Sequence, residues 1–165
     1  MKPTPLKQSS IRSAAIGMVD EHEVILAEHI VGHGRYKQYF ISCAVWTPHE
    51  WTPTKIRPRN LADRVRSTQD LGVEIFDKQR EIDSEELETI KPILAPLAHW
   101  FQISKPRAMS FQMHQTPGLV EQWSFNGHWV ALADRGRTDA DGLVSMSSFL
   151  IAFVNELESS TQLNA

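Results

Sequence analysis

Two apolar runs flanking a glycine turn constrain this fold most. Glu23 to Val31 reads Glu-Val-Ile-Leu-Ala-Glu-His-Ile-Val, Gly32-His-Gly-Arg35 follows, and Tyr36 to Trp46 resumes an apolar pattern. β-Branched residues favour the pleated chain, and glycine makes positive φ cheap at the turn, so the stretch predicts a hairpin. Val24, Leu26 and Ile30 fall on one face and Ile25, Ala27 and Val31 on the other. Strands that are apolar on both faces belong inside a sheet or under a double cover. Ser13 to Val19 reads as a further short strand.

The second strand runs into Trp46-Thr-Pro-His-Glu-Trp51-Thr-Pro53, in which Trp-Thr-Pro occurs twice, five residues apart. Proline lacks an amide hydrogen and biases its predecessor toward extended geometry, so the segment is expected to leave the strand as a stiff loop. Lys55, Arg57 and Arg59 come directly after it. Large aromatics beside fixed cations are the usual material of a binding surface. Trp46, Trp51, Lys55, Arg57 and Arg59 are therefore the candidate binding residues, joined by Trp129 on the polar face of a later strand. The competing reading makes Trp46 the end of a core strand and Trp51 a lid folded on the sheet, because tryptophan is highly buried on average. Strand continuity favours core for Trp46, which leaves Trp51 and its arginine neighbours to carry the contact.

Asn60 is a candidate cap for a short helix with Asp63 in its first turn and Leu61 and Val65 inward. Leu71 to Phe76 alternates like a strand, with extension of that helix as the alternative. From Asp83, with Glu86 as a capping-box partner, Leu87, Ile90, Ile93, Leu94, Leu97 and Phe101 form one helical stripe. Pro92 and Pro96 interrupt it. The stripe survives them, so one kinked helix is preferred to two short ones.

Arg107 to His114, Leu119 to Phe125 and His128 to Asp134 predict a meander, with Asn126-Gly127 as a two-residue hairpin turn. That turn would place Trp123 opposite Val130 and Phe125 opposite His128, with Leu119, Trp123, Phe125, Val130 and Leu132 on one apolar face. Ser145 or Ser147 then caps a helix whose inner face is Met146, Phe149, Leu150, Phe153, Val154 and Leu157. The expected fold class is α+β. A largely antiparallel sheet of two hairpin or meander units carries a Pro-kinked central helix and a C-terminal amphipathic helix on one face. The expected organisation is one domain over residues 13–158, with flexible tails at 1–12 and 159–165.

Charge is uneven. Residues 55–66 hold five cations against Asp63, and residues 70–88 hold eight acids against Lys78 and Arg80. A net charge of −3 argues against a general nucleic-acid coat but leaves room for a local basic patch. The single Cys43 forms no internal disulfide, no apolar run reaches membrane-spanning length, and no secretory leader or lipidation signal is read. A cytoplasmic protein that does not enter the membrane is the expectation.

No catalytic constellation stands out. The histidines lack metal spacing, and no second cysteine completes a zinc site, so no metal and no cofactor are expected. Cys43 lies mid-strand in an apolar run and reads as a buried thiol. Thr138 to Ser145 resembles part of a calcium loop, but Arg137 and Ser148 stand where the dominant ligands belong, so a polar turn is preferred. The expectation is a small non-enzymatic binding or regulatory protein that engages a macromolecule, preferably a protein, through residues 46–59. The alternatives are a nucleic-acid accessory protein using the same loop, and an enzyme assembled from His49, Glu50 or His128.

Overall fold

The computed structural model describes residues 10–31, 35, 37–59, 61–66, 71–102, 122–135 and 140–163. Strands β1 (Ser10–Val19), β2 (His22–Val31), β3 (Gln38–Pro58), β4 (Arg80–Ser84) and β5 (Gln122–Arg135) form one antiparallel sheet. Helices α1 (Leu61–Arg66), α2 (Glu74–Lys78) and α3 (Leu87–Leu94), a 3-10 segment (Ala95–Phe101) and α4 (Ala140–Leu163) complete it. This is the expected α+β class. Among the described residues, no helix is long and apolar enough to cross a membrane.

β3 is the spine. Its first half lies between β2 and β5, and its second half between β4 and β5. The expected hairpin of β2 and β3 is present, with both strands inside the sheet. β1 joins β2 through Asp20 and Glu21, both with positive φ (46° and 67°), and Val19 faces His22 directly. Two positive-φ residues define the tight turn whose twist matches a hairpin.

Several expectations give way. Trp46 to Pro53 does not leave the sheet, because β3 continues to Pro58. The five steps along β3 from Trp46 to Trp51 are matched by two steps along β5 from Trp129 to Gly127; a second shift follows between Trp51 and Thr54. The surplus is taken up as bulges, where a strand tolerates residues that cannot donate to the ladder. Pro48 and Pro53 sit at these bulges with their rings exposed.

Asn126-Gly127 is no hairpin turn. β5 runs unbroken through it, so Trp123 opposes Ile56, Phe125 opposes Thr54 and Val130 opposes Val45. Gly127 has φ 57° and open space around its Cβ position, so backbone conformation, not room, is what glycine supplies there. Arg107 to His114 and Leu119 lie outside the described residues.

Other elements shift for local reasons. Residues 71–76 are not a strand, and the last three open α2. Asp83 is in β4 rather than at a helix cap, and α3 starts at Leu87 behind Glu86, whose side chain makes no capping bond. Pro92 lies within α3, and the helix passes into the 3-10 segment at Ala95, one position before Pro96. The apolar stripe continues across that change, with Ile90, Leu94, Leu97 and Phe101 buried.

Val65 is 81% exposed instead of inward. Asp63 of the six-residue α1 makes an ion pair with Arg57. Asn60 falls outside the described residues. α4 begins at Ala140, ahead of both expected caps, and the Ser147 hydroxyl donates back to the Val144 carbonyl. β1 begins at Ser10 and α4 runs to Leu163, so both expected tails contain regular structure.

The core lies between α4, α3, the 3-10 segment and one sheet face carrying Val24, Cys43, Val45, Ile56, Trp123, Phe125, Val130 and Leu132. Phe153 of α4 stands at its centre, with ring centroids of Trp123, Phe101, Trp100 and Phe125 at 4.6, 5.5, 5.7 and 6.3 Å. Phe149, expected on the inner face of α4, is 42% exposed at the rim beside Trp100.

Candidate functional site

The bulged stretch of β3 brings Trp46, Thr47, His49 and Trp51 against His128 and Trp129 of β5. A strand with three surplus residues must fold out of the ladder, and here the displaced residues are Pro48, His49 and Glu50, all exposed. Thr47 fixes the base of the protrusion. Its hydroxyl, fully buried, lies 3.0 Å from the His128 carbonyl and 3.1 Å from the His49 carbonyl, and accepts the Trp51 indole N–H at 2.8 Å. His128 Nδ1 lies 3.2 Å from the His49 carbonyl and closes the same loop onto β5.

The tryptophans take the opposite roles from those expected. Trp51 is 3% exposed, packs edge-on to Phe125 at 5.5 Å, and belongs to the core. Its indole faces inward because the residues between it and Trp46 form the bulge, which resets the alternation of the strand. Trp46 is half-buried, pairs across the ladder with half-buried Trp129, and stacks on the His128 ring at 5.3 Å with planes 29° apart. His49 lies over Trp51 at 4.3 Å. The accessible aromatic surface is thus Trp46, Trp129 and the two imidazoles.

The expected cations do not join this surface as free charges. Asp63 takes the Arg57 guanidinium in two hydrogen bonds, and Asp83 accepts from its Nε at 3.2 Å. The Asp63 carboxylate, first among these influences, holds Arg57 more firmly protonated than usual. Arg59, whose side chain is 4% exposed, lies 3.2 Å from Glu81 and donates from Nε to the Arg80 carbonyl. Burial pushes the Glu81 carboxyl above its ordinary value, with Arg59 opposing that shift. Lys55 is exposed. Arg57 and Arg59 are therefore paired with Asp63 of their own run and with Asp83 and Glu81 of the acidic run that follows, through contacts the linear charge count could not show.

His49 and His128 meet through a backbone carbonyl, and neither imidazole is within ion-pair distance of a carboxylate among the described residues. Among those residues, no group of three His, Cys, Asp or Glu side chains is placed to hold a metal. Cys43 is wholly buried, and desolvation pushes its thiol up to about 12. His29, also buried, lies 2.7 Å from the Ser42 hydroxyl, and desolvation lowers its pKa.

Thr47 supplies a test of the scaffold. Thr47→Val keeps the shape but leaves the Trp51 N–H and a carbonyl without a partner, at a cost of about 1–3 kcal/mol. Chemical denaturation should read that loss, and hydrogen exchange should quicken at residues 47–51 before it does elsewhere. Unchanged stability would show that the hydroxyl does not hold the bulge.

No family model, no curated protein and no solved structure matches this chain.

Proposed function

We propose that this is a non-enzymatic binding or regulatory protein that engages a protein partner through the protrusion at residues 46–50 and the adjoining His128 and Trp129. The observation that supports it is the pinned bulge. Three surplus residues are displayed as consecutive exposed Pro48, His49 and Glu50, beside half-buried Trp46 and Trp129. Bulges that re-aim side chains out of a sheet are over-represented at functional sites. Aromatic anchors in a rigid frame lose little conformational freedom on binding.

Protein is favoured over nucleic acid because phosphate contacts need free cations, whereas Arg57 and Arg59 are engaged by Asp63, Asp83 and Glu81. A cytoplasmic location belongs to the same proposal. Its support is a lone buried thiol, which needs no oxidising compartment.

The test compares partner recovery on immobilised wild-type protein, on Trp46→Ala and on the fully surface variant His49→Ala/Glu50→Ala. Loss of an anchor is expected to weaken binding by about 2 kcal/mol, or roughly thirtyfold. Equal recovery on both folded variants would refute the assignment of this surface.

A further inference from the structure

β1 is the outer strand of the sheet and pairs only with β2 among the described residues. Every residue from Ile11 to Val19 except Val19 itself is exposed, and Ile16 and Met18 are 71% and 68% exposed on the same face. Soluble proteins ordinarily blunt a long edge with proline, charge or a cover. This one has no proline, one charged residue, and ten residues of strand. The only irregularity is at Arg12, which is surplus to the ladder between Ile11, opposite His29, and Ser13, opposite Glu28.

We propose that this edge pairs with the same edge of a second copy of the chain, antiparallel about a two-fold axis at Ile16. Pairing two β1 strands about that axis sets Ile16 opposite Ile16 of the second copy and Ala14 opposite its Met18. Arg12 then falls opposite Asp20 of the second copy, and the symmetry repeats this ion pair at the other end. A slip of two residues one way faces Arg12 with Met18, and the other way carries it past the turn that ends β1; both lose the charge match. The self-complementary register, apolar in the middle and oppositely charged at its ends, is what commits the edge to its own copy.

Arg12 can make this contact because, as the surplus residue, it has no opposite number on β2. In the single chain its guanidinium carbon stands 6.0 Å from the ring centre of Tyr39 on β3, so pairing of the edges draws this exposed side chain back from β3 toward the second copy. The union would join two five-stranded sheets into one and satisfy the outward amides and carbonyls of β1 in both copies. It uses a surface separate from the bulge of β3 and so stands or falls apart from the binding proposal.

Light scattering across a concentration series should show a reversible dimer, and Ile16→Lys, which sets like charges face to face on the axis, should raise its dissociation constant roughly tenfold or more. Ile16→Cys supplies an independent readout. Opposed strand positions lie about 5 Å apart, within disulfide reach, so mild oxidation should give a covalent dimer through position 16. Met18→Cys should not cross-link, since its two copies would lie four strand positions, or about 13 Å, apart. Native Cys43 is buried and leaves this assay silent. A protein monomeric at every soluble concentration would overturn the proposal. So would a dimer indifferent to Ile16→Lys, or cross-linking through position 18 as readily as through 16.

Discussion

Phe153→Ala is expected to destabilise the protein by about 3–5 kcal/mol, the range for an aromatic removed from a closed core. The side chain is wholly buried. It sits where α4 meets the sheet and the 3-10 segment, and four aromatic rings lose a neighbour when it goes. Collapse cannot fill the gap, because Trp123 and Phe125 are fixed by β5 and Phe101 by the 3-10 segment. The loss approaches the whole stability of an ordinary domain. Urea denaturation should show the midpoint falling steeply or a variant already unfolded in buffer. Phe153→Leu, which keeps much of the volume, should retain a cooperative transition. A loss under 1 kcal/mol for the alanine variant would mean that α4 does not close this core.

The second large effect is a pH dependence. Desolvation pushes the Cys43 thiol to about 12, against an ordinary value of 9.0. The unfolded chain therefore releases this proton from about pH 9 upward, while the folded chain keeps it. The unfolded state binds fewer protons in that window, so stability falls as pH rises, by about 1.4 kcal/mol per pH unit until the folded value is reached. Below pH 9 the contribution is constant. Cys43→Ala leaves a small cavity and should be less stable than wild type at pH 7. It lacks the slope, so the gap should narrow between pH 9 and 10.5 in parallel denaturant titrations. Every other group is common to the two proteins and cancels in the difference. Parallel curves would show that Cys43 is hydrated when folded.

How legible these features were depended on whether the signal was local. Helical periodicity from Leu87 to Phe101 and from Met146 to Leu157 survived because a stripe at i, i+3 and i+4 needs only its own element. The β2–β3 hairpin was readable from two-sided apolar runs. Around Asn126-Gly127 the sequence showed a genuine break: Trp123 and Phe125 share a face with Val130 and Leu132, which a uniform strand forbids. A tight turn produces that slip of phase, and so does a single positive-φ residue inside a continuous strand, as Gly127 is. The choice between them was made by β3, some seventy residues away, whose bulges need a partner that runs straight.

The same non-local cause hid the roles of the tryptophans. Trp46 and Trp51 differ in parity, but only the depth of the bulge decides which ring enters the core. Arg57 and Arg59 looked like free cations because Asp63, Glu81 and Asp83 reach them only after α1 and β4 fold back. The Asp20-Glu21 turn escaped because Asp20 is followed by Glu21, and not by the glycine that usually takes the second positive φ of such a turn.

The pairing of β3 with β5 has a consequence for how the chain acquires its structure. Partners in that ladder are separated by 67 residues (Trp123 minus Ile56) to 95 residues (Arg135 minus Phe40). Closing loops of that size costs several kcal/mol of chain entropy before the contacts compensate, by the logarithmic dependence on length. A topology dominated by such distant partners folds slowly. During synthesis β1, β2 and β3 emerge long before β5, so one flank of the central strand waits with its amides and carbonyls unmatched. For that interval the nascent chain presents a second adhesive border besides β1, one that disappears once translation has passed Arg135.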